Sequence, residues 1–157
     1  MPKRTSRAVA QQTSGTPAPW RIHFFQRHED DAPGRAVPAR EFLDRCPSAV
    51  AAKLLAVVKA VADAPPPAFS GGGKWEAMHG DMAGFYEVRA DGPKRRHYRL
   101  FCLLDRDGAN VGLGGPSVVL LTGKDKAFQT TLSATDYADV RSLGRQFLAR
   151  APRSVAR

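Results

Sequence analysis

Apolar residues in this chain fall into short stretches with two periods, two and about three and a half. In WRIHFF (20–25), Trp20, Ile22 and Phe24 share one face, the alternation of a strand. AREFLDRC (39–46) carries Phe42, Leu43 and Cys46 and reads as a short helix. A longer helix follows over 49–63, with Ser48 as its cap and Val50, Leu54, Val57, Val58 and Val61 on one buried face. Pro65, Pro66 and Pro67 stop it, because a proline ring removes an amide donor and clashes with the preceding turn. Ser70-Gly71-Gly72-Gly73 reads as a hinge, and 74–84 as a short strand or irregular turn.

Alternation returns in FYEVRA (85–90), where Phe85, Glu87 and Arg89 oppose Tyr86, Val88 and Ala90. Asp91-Gly92 opens a basic hairpin loop over 91–96. HYRLFCLLD (97–105) then places His97, Arg99, Phe101 and Leu103 opposite Tyr98, Leu100, Cys102 and Leu104. A glycine-rich connection (106–115) leads to the apolar run PSVVLLTG (116–123), which suits a central strand, and KDKAFQTTL (124–132) reads as a turn. Thr135 is placed to cap a last helix near 136–149, with Val140, Leu143 and Phe147 buried. The expected order is β-α-α-β-β-β-α, an α+β two-layer sandwich with an antiparallel-dominated sheet and helices on one face. Residues 1–19 lack the apolar side chains that offset ordering entropy and are expected to be a disordered basic arm. Residues 20–150 form the domain, and 151–157 a flexible basic tail.

Charge changes the picture. Lys and Arg number 24 against 15 Asp and Glu, a formal net charge of +9 that favours a polyanionic partner, most often nucleic acid. The cations concentrate: Arg89, Lys94, Arg95, Arg96, Arg99 and Arg106 lie around the hairpin, and Lys124 and Lys126 follow the next strand. In an antiparallel meander these positions can gather on one surface as a phosphate-binding face. Arg99 interrupts an otherwise apolar strand, so it needs a carboxylate such as Glu87 or a ligand phosphate. His79 and His97 lie near this face, and their imidazoles make either a candidate general acid or base.

Other chemistries find no pattern. Cys46 and Cys102 have no metal-ligand spacing and read as thiols in a reducing compartment. No phosphate-binding glycine loop or nucleophile elbow is present, and SGGGK (70–74) lacks the spacing of the former. No metal or cofactor is expected. No run approaches the ~18 apolar residues of a membrane span, and the start of the chain has no apolar stretch of a secretory signal, so the expected location is the cytoplasm.

Four segments in order resemble the RelE/ParE toxin superfamily, in its HigB-like branch: VPAREFLDRCP (37–47), GFYEVR (84–89), HYRLF (97–101) and VVLLTGKDKAF (118–128). The likeness spans about residues 20–150. It implies a RelE-like fold and a monomeric toxin of a type II toxin–antitoxin module, held inactive by a helix-turn-helix antitoxin. It also implies cleavage of mRNA on the ribosome without a metal, through attack by the ribose 2′-hydroxyl on the adjacent phosphate. Arg99 matches the arginine of the family's tyrosine–arginine motif and would contact the scissile phosphate. Arg89 matches the arginine closing the preceding strand, and Lys124 and Lys126 the lysines after the last strand; Lys94, Arg95, Arg96 and Arg106 would hold RNA. Phe85 and Glu87 stand where RelE itself carries lysines, and the family's tyrosine near its C-terminal end has no matching position. The proton-transfer group therefore stays open among Glu87, His79 and His97. The same fold hosts gyrase inhibitors of the ParE kind and non-catalytic relatives that only bind nucleic acid or a partner, so fold alone does not choose among them.

Overall fold

A computed structural model describes residues 18–64 and 73–157. The elements run β1 (Arg21–Phe24), α1 (Pro38–Arg45), α2 (Ser48–Asp63), β2 (Trp75–Ala77), β3 (Phe85–Gly92), β4 (Arg96–Asp105), β5 (Ser117–Ala127) and α3 (Ala134–Leu148). The five strands form one sheet in the order β1-β5-β4-β3-β2. β2 to β5 are antiparallel neighbours, and β1 joins β5 in parallel. The α+β class and the antiparallel-dominated sheet stand as the sequence reads them. Residues 1–17, the triple proline and most of the glycine hinge lie outside the described residues.

Both faces of the sheet are covered, so the expectation of helices on one face is corrected. α1 and α2 pack Phe42, Val50, Leu54, Val58 and Val61 against Val88, Leu100, Cys102 and Leu120. α3 packs Leu143 and Phe147 against Leu103, Val119 and Leu121 on the other side, and Val140 against Phe101. The physical reason lies in the central strands. Leu100, Phe101, Cys102 and Leu103 are consecutive and all buried, as are Val118 to Leu121, which requires an apolar layer on each face. Burial also pushes the Cys102 thiol well above its ordinary range.

One open alternative is resolved as a strand, and two boundaries differ from the sequence reading. Trp75–Ala77 is a true edge strand paired with β3. β5 continues through Lys124 and Lys126 to Ala127, where a turn is expected from the sequence. α3 is capped two residues earlier, by Ser133, whose hydroxyl accepts from the Asp136 amide while the Asp136 carboxylate accepts from the Ser133 amide, a reciprocal capping box.

The 151–157 segment is docked. Ser154 accepts from the Gln26 amide, Ala156 donates to Phe24, and Phe25 bridges Val155, so the segment covers the outer edge of β1. The cause is Asp105, nearly buried at the end of β4, which draws in Arg153 at 2.9 Å.

Two substitutions test this packing. A Cβ on Gly123 would lie 2.0 Å from the Phe42 ring. Gly123→Ala is therefore expected to cost about 2 kcal/mol in urea unfolding, through overpacking between β5 and α1. Arg153→Ala leaves Asp105 buried without its cation; a loss of about 3 kcal/mol is expected, with earlier proteolytic trimming of the released segment.

Candidate nucleic-acid interface

The site occupies the part of the α3-facing sheet surface that α3 leaves uncovered. Strand register places its residues in three rungs. Glu76, Glu87, Phe101 and Thr122 lie abreast on β2 to β5; Arg89, Arg99 and Lys124 lie abreast on the next rung, and Asp91, His97 and Lys126 on the one after.

An irregularity in β5 assembles this surface. The register shifts between Phe101 and Cys102, whose partners are Thr122 and Leu120, leaving Leu121 as an extra residue. Val119 and Leu121 face α3, so strict alternation would send Lys124 and Lys126 toward α1 and α2. The bulge reverses the parity. Gly123 instead abuts Phe42 of α1, and Lys124 reaches Asp139 of α3 at 2.7 Å. Both lysines thus join Arg89 and Arg99.

Like charges directly opposed on neighbouring strands are destabilising, and the middle rung is three cations wide. Glu87 makes that tolerable. It is 3% exposed and both its oxygens accept from Arg99 Nη1 at 2.9 Å, while Arg89 Nε donates to it at 2.7 Å. Arg89 also reaches Glu76 at 3.2 Å. Burial works against the Arg89 charge, but the hydrogen bond and negative charge of Glu87 outweigh it, with Glu76 and Tyr137 adding to them, and its pKa is raised. Arg99 Nε is shut from solvent without a hydrogen-bond partner.

The face is therefore charge-balanced rather than bare. Glu76, Glu87, Asp91 and Asp139 stand beside the cations, and of the four cations on these rungs Lys126 has no carboxylate partner among the described ion pairs. Its ammonium donates to the Thr130 carbonyl at 2.7 Å. Its pKa is lowered, first by desolvation and then by repulsion from Arg99 and Arg89, against attraction from Glu87.

His97 lies flat on Phe128, with ring centroids 4.0 Å apart, and its Nδ1 meets Asp91 at 2.5 Å. A cleft of about 290 Å³ opens beside these groups, lined by Lys74, Arg89, Asp91, His97 and Arg99 among others.

Other expected residues are not gathered here. Arg96 lies on the opposite face, paired with Asp125 at 2.7 Å beside Cys46 and Phe42. Arg106, beyond the far end of β4, stacks over Trp20. His79 sits past the end of β2, beyond the Met78 to Phe85 backbone bond and away from the cleft. Lys94 and Arg95 stay in the hairpin loop, both with positive φ, and Arg95 lies over Phe128.

Residues not singled out from sequence also belong to the site. Tyr137 packs edge-on to Phe101 and Asp139 holds Lys124. Tyr137 had a signal, since it extends the Val140, Leu143 and Phe147 stripe by one turn. Phe128 had none, because nothing local marks a loop aromatic as the floor for a distant imidazole.

Among the described residues no helix is long and apolar enough to cross a membrane, and no group of His, Cys, Asp and Glu could hold a metal. No protein-family model and no curated protein matches the chain. A solved structure, the toxin–antitoxin complex RelBE2 from Mycobacterium tuberculosis, is similar with a TM-score of 0.44 and 17% identity, over 70% of this chain and 94% of that chain. A likeness that distant assigns no activity.

Proposed function

We propose that this chain is the toxin of a type II toxin–antitoxin module, a metal-independent endoribonuclease that cuts mRNA on the ribosome through the β3–β4–β5 face. The observation that carries this reading is the cationic rung of Arg89, Arg99 and Lys124, with Lys126 on the next rung. Three cations abreast work against folding, and the β5 bulge adds the third. Charge building on a phosphorane-like transition state gives such a rung a use.

In this mechanism Arg99 binds the scissile phosphate. Its Nη1 is held by Glu87, which fixes the guanidinium plane and leaves Nη2 for the substrate. Lys126, lacking a carboxylate partner, supplies the second contact. Arg89 and Lys124 exchange their exposed pairs with Glu76 and Asp139 for RNA phosphates, and Lys94 and Arg95 extend the backbone contacts. The ribosome supplies positioning of the mRNA. A helix-turn-helix antitoxin would silence the toxin by covering this face, and the place of action is the cytoplasm, where ribosomes translate. The sequence resemblance supports the same reading.

Mapping mRNA 5′ ends on ribosomes after expression tests it. The wild-type chain is expected to produce new ends within the translated frame, and Arg99→Ala to lose about 100-fold of the cleavage rate. Full cleavage by Arg99→Ala sinks the site assignment. Absence of cleavage together with stalled supercoiling would replace the nuclease by a gyrase inhibitor. Glu87→Gln is expected to lower both stability, by about 3 kcal/mol, and cleavage, since it releases both arginines; urea unfolding and the same end-mapping measure the two losses.

A further inference from the structure

Asp91 and His97 are direct partners across the β3–β4 hairpin, one rung from the Arg89–Arg99 pair. Two independent contacts fix the imidazole: the 2.5 Å bond from Nδ1 to Asp91, and the face of Phe128, tilted only 12° from the histidine ring. Phe128 is itself tied to the hairpin, its amide donating to the Arg95 carbonyl at 2.9 Å. The ring so held lines the same cleft as Arg89 and Arg99. Resting on the ribonuclease reading, we propose that Asp91 and His97 are its proton-transfer pair: Asp91 positions His97, and His97 Nε2 takes the proton of the attacking 2′-hydroxyl.

An ionised carboxylate can only accept, so the bond to Asp91 requires the proton to sit on Nδ1. The lone pair of the neutral ring is then on Nε2, which has no hydrogen-bond partner among the described residues. The alternatives are removed by position. Glu87 is buried and its oxygens are occupied by arginine donors, and His79 lies away from the cleft. Stability gives Asp91 little reason to be there. It is 70% exposed, where such a pair contributes about 1 kcal/mol or less, and the hairpin register is already set by its ladder.

The 2′-oxygen bonds to phosphorus as the bond from phosphorus to the 5′-oxygen breaks, and the 2′ proton passes to His97 Nε2. The leaving 5′-oxygen takes a proton from water. The products are a 2′,3′-cyclic phosphate and a 5′-hydroxyl, with His97 left as imidazolium. The cations around that ring are Arg89 and Arg99, Lys126 opposite it on β5, Arg95 above Phe128, and Lys74 across the cleft. Asp91 is the carboxylate in contact with it, and it offsets the charge that His97 acquires.

Two measurements on the full chain decide this. Nitrogen-15 NMR of the neutral imidazole is expected to show His97 as the Nδ1–H tautomer, and Asp91→Ala to release it toward Nε2–H. An Nε2–H ring in the wild type, or one indifferent to Asp91→Ala, overturns the positioning role whatever the activity. In cleavage assays across pH, His97→Gln is expected to lose about 100-fold together with the acidic limb of the rate profile, and Asp91→Ala about 10-fold. His97→Gln keeps a polar side chain at the strand position, and its unfolding curve reports separately on folding. Cleavage by the wild type with an unchanged profile in His97→Gln overturns this pair while the ribonuclease stands. No cleavage by the wild type overturns both.

Discussion

A carboxylate taken out of water must be met by cations, and Glu87 sets that demand at the centre of the sheet. Arg99 answers with one nitrogen on both oxygens, and Arg89 from the same strand. Once these guanidiniums are locked, two arginines can sit side by side on paired strands without splaying the hairpin. The rest of the surface follows from that clamp. Lys126 feels the arginines as repulsion and Glu87 as attraction, and the cleft takes its walls from the arginine rung and the rung beyond it. The carboxylate is buried and both of its oxygens are held by arginine, so it anchors the two guanidiniums.

The second constraint is a parity. A strand has two sides and a period of two, so one extra residue exchanges them. Leu121 is that residue. Before it, β5 sends Val119 toward α3 and Val118 and Leu120 toward α2, serving two cores. After it, the strand can give Gly123 to the Phe42 ring and both lysines to the arginine face. A single irregularity thus lets one strand act as core at one end and as charged surface at the other.

Much of this was legible from the chain. Period-two alternation put Glu87 with Arg89 on one side of 85–90 and His97 with Arg99 on one side of 97–105, because alternation is a local property; the register joins the two sides into one face. The possible Glu87–Arg99 pair was legible for the same reason. The fate of Arg96 was not; it begins β4 and alternates to the far side, where Asp125 waits. The bulge has no local signature, so KDKA read as a turn although it continues the ladder. The second helical layer had left a trace in the unbroken apolar runs of β4 and β5, which half-exposed strands do not carry. The docking of 151–157 rests on Arg153 finding Asp105 across 48 positions, a pairing that no periodicity encodes.

The parallel pairing of β1 with β5 bears on how the molecule assembles. Its partners come from opposite ends of the domain, as do those of the Phe25–Val155 bridge. Such contacts require large loops to close and tend to form late and slowly. The strands that carry the cations are instead contiguous, β3 to β5, joined by connections within one meander. Their register can therefore form from nearby sequence. In terms of chain separation, the charged face is built from near neighbours, and the edge strand that closes the sheet from the most distant pairing.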